Sequence, residues 1–193
     1  MRRIGVLGGS FNPPHLGHLV ISTWVLNEFQ LDKILFVPSY IRPIGSEKVD
    51  VPFVHRAEMT RLAIKNEPRF ELSLIEGERQ KVTYSVELLE ILHKKYKGAE
   101  FFFLIGSDCI TEIERWKRWQ DLWKLSEVIV FRRLNFDPIK LEKKVHRELK
   151  LSSAPIIELS SSVIRNRIKN RLPVKFMIPA QVENYIRKNN LYL

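Results

Sequence analysis

Short runs of Val, Ile, Leu and Phe recur at 3–7, 33–37, 70–74, 101–105 and 128–131, with a sixth candidate at 155–158. Runs of this length, apolar almost throughout rather than alternating, predict strands buried on both faces. The intervening segments have helical length and pattern: 16–29, 53–66, 84–96, two short pieces within 108–125, and 138–149. Strand and helix alternate, which predicts an α/β fold with a doubly wound, mostly parallel sheet and helices on both faces. Asp137 ahead of Pro138 supplies an N-cap and a first-turn proline, and Pro179 opens the last helix in the same way. Past 159 the alternation gives way to two helices, at about 161–170 and 179–189. The expectation is one domain over 1–193, with an α/β core at 1–159 and a small C-terminal helical subdomain at 160–193.

Composition narrows the class. With 193 residues, 45% of them apolar and 28% charged, the chain is long enough to bury a full core and is not disordered. No stretch approaches the roughly 18 to 20 apolar residues of a membrane span. The run at 4–7 is stopped by glycines and then by Asn12, Pro13 and Pro14, so no signal peptide is expected and the location is cytoplasmic. The single cysteine, Cys109, cannot form an internal disulfide or a zinc cluster and reads as a packing residue. The formal charge is +10, yet Lys and Arg are spread over the whole length with no basic block. That argues against nucleic acid as partner, and a positive field serves equally to draw in triphosphates. The oligomeric state stays open, a homo-oligomer included.

Candidate chemistry begins in the stretch Gly8-Gly9-Ser10-Phe11-Asn12-Pro13-Pro14-His15-Leu16-Gly17-His18, directly after the first strand and leading into the first helix. A glycine-rich turn there lets backbone N–H groups approach phosphates, and the helix N-terminus adds partial positive charge. The spacing matches neither the G-x-G-x-x-G dinucleotide fingerprint nor the Gly-Lys-Ser/Thr ending of a P-loop. His15 and His18, three apart, share one face of the first helical turn and can jointly hold phosphate oxygens. Two other readings stand beside this one: unrelated histidines, one capping and one packed, or half of a metal site. The remaining histidines, His55, His93 and His146, have no matching spacing, so no protein-held metal is expected.

This stretch resembles the phosphate-binding signature of the nucleotidyltransferase superfamily with the His-x-Gly-His motif. Class I aminoacyl-tRNA synthetases carry a similar motif, but their tRNA-binding and editing regions would not fit in this length. Late in the chain, Leu159-Ser160-Ser161-Ser162-Val163-Ile164-Arg165 is similar to the superfamily's Ile-Ser-Ser-Thr-x-x-Arg, departing from it at Leu159 and Ser162. Three serines alone read as a helix cap; beside the first motif they point toward a triphosphate, with Arg165 offering a planar fork. The resemblance implies a Rossmann-like sheet and an ATP site made of Gly8, Gly9, Ser10, Phe11, His15, His18, Ser161, Ser162 and Arg165. Within that set, His15, His18 and Arg165 are implied to be catalytic.

The middle of the chain narrows the resemblance to bacterial nicotinate mononucleotide adenylyltransferases. Ile105-Gly106-Ser107-Asp108 followed by Trp116 and Trp119, the turn Thr83-Tyr84-Ser85, the pair Arg132-Arg133, and the terminus Val182 to Arg187 with Leu191-Tyr192 are all similar to that family. Gly106 and Asp108 then join the ATP site, Asp108 accepting a ribose hydroxyl or else capping a helix. Thr83, Tyr84, Ser85, Trp116 and Arg133 become the acceptor site, with Trp116 as a flat apolar partner for the pyridine ring or else plain core packing. The implied reaction is direct in-line attack of nicotinate mononucleotide on ATP, with Mg²⁺ bound with the nucleotide and pyrophosphate leaving. Alternatives are a different acceptor, nicotinamide mononucleotide or pantetheine phosphate, or a basic nucleic-acid-binding module without activity. One departure from the family lies after the second strand, where its Pro-His-Lys is replaced by Arg42-Pro43-Ile44-Gly45-Ser46-Glu47-Lys48. Either Lys48 or Arg42 takes the lysine's place or that contact is absent. His55-Arg56 matches the family's His-Arg and reads as a helix-surface or core-edge pair.

Overall fold

A computed structural model describes residues 1–41, 51–134 and 137–193. Its strands are β1 (Arg3–Gly9), β2 (Lys33–Pro38), β3 (Phe70–Leu72), β4 (Glu100–Gly106), β5 (Glu127–Phe131) and β6 (Lys150–Leu151), joined in the order β3-β2-β1-β4-β5-β6. The order runs outward from β1 on both sides, as a doubly wound α/β sheet does. The β1–β4, β4–β5 and β5–β6 ladders are parallel. Their interior positions are buried on both faces, Ile4, Val6, Ile129 and Val130 completely, which is why the runs in the sequence do not alternate. The helices are α1 (Leu16–Glu28), α2 (Phe53–Ile64), α3 (Ile75–Arg79), α4 (Ser85–Lys95), α5 (Ser107–Ile110), α6 (Leu122–Leu125), α7 (Pro138–Val145), α8 (Ser161–Lys169) and α9 (Ala180–Lys188). None of them is long and apolar enough to cross a membrane.

The chain groups into two compact units. The first comprises Met1–Leu7, Ile21–Ile34 and Tyr84–Glu158. Its ladder starts at Arg3, which pairs in register with Glu100 and also reaches its carboxylate at 3.0 Å. α7 is capped as its sequence predicts: the Asp137 side chain accepts from the Lys140 N–H, and Pro138 opens the first turn. The sixth strand is a correction. It forms at Lys150–Leu151 against Ile129–Val130, not at 155–158. After one more ladder bond, Ser152 N to Val130 O, the Ser152 hydroxyl and Ser153 N–H turn to the Glu28 carboxylate at 2.6 and 2.9 Å. Pro155 then lacks the N–H that a continuing ladder needs.

The second unit comprises Gly8–Val20, Leu35–Thr83 and Leu159–Leu193. Phe36 packs between Phe11 and Phe70, with ring centroids at 5.8 and 5.0 Å. α2 and α9 pack together, their buried faces supplying Met59, Ala63, Val182 and Ile186. His55 Nδ1 and the Tyr185 hydroxyl hydrogen-bond across that contact at 2.9 Å. α3, a five-residue helix that the sequence pattern does not predict, lies against the Phe53 ring, so close that a Cβ on Gly77 would stand 2.2 Å from a ring carbon.

Candidate active site

In the second unit, the loop after β1 is defined by where its carbonyls go. Gly9 O accepts from Ser39 N–H at 2.8 Å, and Ser10 O accepts from Arg56 Nη1 at 2.8 Å. Asn12 O accepts from Arg165 Nη1 at 3.0 Å, and Pro13 O accepts from the Ser161 hydroxyl at 2.8 Å. The Asn12 side-chain oxygen accepts from the Tyr192 hydroxyl at 2.7 Å, and the Asn12–Pro13 peptide is cis. In a trans peptide the carbonyl and the following N–H point in opposite directions. Anchoring the Gly9 and Ser10 carbonyls therefore aims the Ser10 and Phe11 N–H groups away from those anchors. Phe11 has φ of 45°, in the left-handed region. A Cβ on Gly8 would meet nothing within 4 Å, so the backbone there stands open to a ligand.

The two histidines stack, with ring centroids 3.6 Å apart and planes 27° apart. His15 is buried and His18 half-buried. His18 Nδ1 accepts from the His15 N–H at 3.1 Å, so a neutral His18 carries its proton on Nε2 and is a donor there. Its ring also meets the edge of Phe11 at 5.1 Å. α8 begins with Ser160 as N-cap, accepting from Val163 N–H, so of the three serines it is the first that caps. Ser161 and Arg165, one turn apart, hold the Pro13 and Asn12 carbonyls, while Ser162 Oγ accepts from Arg165 Nη2 at 3.2 Å. Backbone N–H groups, an imidazole N–H, a helix N-terminus and a guanidinium thus gather about one loop, a set of donors whose chemistry suits phosphate oxygens.

In the first unit, Gly106 ends β4 and Asp108 lies in the first turn of α5. A Cβ on Gly106 would stand 2.2 Å from Asp108 Oδ1, so the glycine makes room for the carboxylate to fold back over the strand end. Asp108 is exposed and lines a cavity of about 650 Å³ together with Ser107, Leu134 and Lys140. Arg133 is tied into the same sheet end: its N–H donates to Ser107 Oγ and its Nη1 to Ile157 O, at 2.9 and 2.8 Å. Trp116 is half-buried with its ring edge-on to Phe103 at 6.4 Å. Next to it, Lys117 reaches Glu87 at 2.8 Å and lies 4.8 Å from the Tyr84 ring centre, which brings the Tyr84-Ser85 turn alongside the Trp116 segment. Thr83, in the second unit, is buried and donates to Lys81 O at 3.4 Å.

The Cytidylyltransferase-like family model matches residues 6–167. The nicotinate-nucleotide adenylyltransferase of Bacillus subtilis strain 168 is 35% identical over 192 residues, covering 100% of this chain and 99% of its own length. This chain belongs to the nicotinate-nucleotide adenylyltransferase family. A solved Plasmodium falciparum nicotinic acid mononucleotide adenylyltransferase, complexed with NaAD, superposes with a TM-score of 0.83 at 25% identity, covering 100% of this chain and 98% of that one. Another structure of that protein, complexed with APC, gives 0.82 at 24% identity with the same coverage, a likeness of fold.

For a nicotinate-nucleotide adenylyltransferase the expected placement of His55-Arg56 needs correcting at Arg56. It is 1% exposed and donates to three carbonyls, those of Val51, Ser10 and Tyr40, rather than lying on the helix surface or core edge. Glu76 carries no signal in the sequence; it is buried and accepts from the Tyr40 N–H at 2.9 Å. Burial pushes its carboxyl up to about 7, against the opposing effects of the Tyr40 N–H and the Arg56 and Arg79 charges. Tyr192 is visible in the sequence only as part of a family-like terminus, and its grip on Asn12 has no local signal. Arg42 and Lys48, the two candidates for the lysine of Pro-His-Lys, lie outside the described residues.

Proposed function

We propose that this chain transfers the AMP portion of ATP to nicotinate mononucleotide, giving nicotinate adenine dinucleotide and pyrophosphate, a step of NAD biosynthesis in the cytoplasm. The observation that carries the reading is the loop at 8–13. Four of its carbonyls, those of Gly9, Ser10, Asn12 and Pro13, are held by Ser39, Arg56, Arg165 and Ser161, while the Ser10 and Phe11 N–H groups and the Nε2–H of a neutral His18 are donors on the same stretch. The full-length identity to the Bacillus subtilis enzyme supports the same chemistry.

On this reading the mononucleotide phosphate attacks the α-phosphorus in line, the bond to the bridging oxygen breaks, and pyrophosphate leaves. The attacking group is already anionic, so alignment and charge dispersal lower the barrier more than proton transfer does. His15, His18, the α8 N-terminus and Arg165 hold the triphosphate, with Gly8 to Phe11 supplying backbone donors. Mg²⁺ bound with the nucleotide would supply charge neutralisation at the triphosphate that these residues hold. Asp108 accepts a ribose hydroxyl. Trp116 and the Thr83 to Ser85 turn, with Arg133 near β5's end, receive the pyridine ring and its carboxylate.

The test supplies ATP and Mg²⁺ with nicotinate mononucleotide, nicotinamide mononucleotide or pantetheine phosphate in separate reactions, and follows pyrophosphate and dinucleotide. Nicotinate mononucleotide is expected to react fastest. Equal rates with both pyridine acceptors would remove the assigned acceptor site, and no pyrophosphate with any acceptor would remove the function.

A further inference from the structure

Among the described residues, Arg56 is the largest fully buried side chain. Its three donating nitrogens join three stretches of chain: Nε to Val51 O at 3.1 Å, Nη1 to Ser10 O at 2.8 Å, and Nη2 to Tyr40 O at 3.3 Å. Burying a guanidinium is expensive, and saturating carbonyls with it is one answer to that cost. The identity of one carbonyl gives the arrangement a second meaning. The Ser10 carbonyl belongs to the peptide whose N–H is that of Phe11, and Phe11 holds φ of 45°. An aromatic residue in that region is strained and stays there only when its surroundings over-determine it. The buried Phe11 ring, edge-on to His18 and tilted on Phe36, fixes the side chain. Arg56 fixes the peptide before it.

We propose that Arg56 is a positioning residue for the phosphate-binding loop, acting through the Ser10 carbonyl to hold the Phe11 N–H toward the triphosphate. This rests on the reading of that loop as the ATP site. Lysine, a point charge without the planar fork, cannot satisfy three carbonyls in this geometry. Arg56→Lys therefore keeps the charge and loses the orientation.

The experiment measures Arg56→Lys well below its own melting temperature. Mg·ATP affinity is read by calorimetry without acceptor, kcat and KM with acceptor, and the Phe11 amide by nitrogen-15 NMR during ATP titration. Turnover about tenfold to a hundredfold lower, with weaker ATP binding and little change in acceptor KM, is the expected result. A purely structural Arg56 would lower the melting temperature and leave ATP affinity and turnover as in the wild type, which overturns the proposal. Should the lysine variant not fold, Arg56→Gln is read in the same way. The wild type alone supplies a second, independent test: a Phe11 amide that does not move while ATP binds also overturns it. Failure of the wild type to form product with any acceptor counts against the proposed reaction, while the ATP-binding measurements still decide the role of Arg56.

Discussion

Glu76 makes the stability of this protein depend on pH in a direction opposite to that of most carboxylates. It is 5% exposed, and burial raises its carboxyl from 4.5 to about 7. The folded state then binds this proton more tightly than the unfolded chain does. Between about pH 4.5 and about 7 the native protein carries the extra proton, so its stability falls as pH rises through that window. At about 1.4 kcal/mol per pH unit the whole effect is on the order of 3 kcal/mol, large against a typical domain stability of about 5–15 kcal/mol. Glu76→Gln keeps a side-chain oxygen for the Tyr40 N–H and cannot ionise. Denaturant unfolding of both proteins at about pH 5 and about pH 8 isolates the group, because every other titration cancels in the difference. The variant is expected to match the wild type near pH 5 and exceed its stability near pH 8. Parallel stability curves for the two proteins would refute the assignment of the raised carboxyl to Glu76.

Two substitutions probe the proposed phosphate and ribose contacts. His18→Ala should raise the barrier by roughly 2 to 4 kcal/mol in steady-state turnover while circular dichroism shows an intact fold, and near-normal turnover would remove His18 from catalysis. Gly106→Ala should fold, because φ of −72° and ψ of 147° suit any residue and the new Cβ meets chiefly the movable Asp108 carboxylate, with the Phe131 ring at 3.3 Å having to give by only a few tenths of an ångström. Displacing that carboxylate should raise the KM for ATP about tenfold, the scale of one charged hydrogen bond, and an unchanged KM would show that Asp108 does not touch the ribose.

What was legible in the sequence is what short-range physics decides. Apolar runs without alternation mark strands buried on both faces, and 3–7, 33–37, 101–105 and 128–131 fall within or on β1, β2, β4 and β5. Asp137 with Pro138 starts a helix because the cap bond spans three residues. The loop from Gly8 to His18 could be singled out as a candidate for phosphate chemistry because its residues act as neighbours along the chain. Even the His15–His18 contact is local, a backbone N–H meeting a ring three residues on.

Tertiary structure decided the contacts that no local rule reaches. The 155–158 run is apolar enough to be a strand, but Pro155 and the pull of Glu28 on Ser152 and Ser153 end the ladder at Leu151. Arg56 reads as a helix-surface or core-edge arginine in the sequence, since nothing nearby announces a Ser10 carbonyl 46 residues away. Arg165 and Tyr192 meet Asn12 across 153 and 180 residues. Propensity and patterning act over a few residues, so they determine which segments become strands, helices and glycine turns. Which buried carbonyl finds which donor depends on how those segments come together, and only the folded chain answers that.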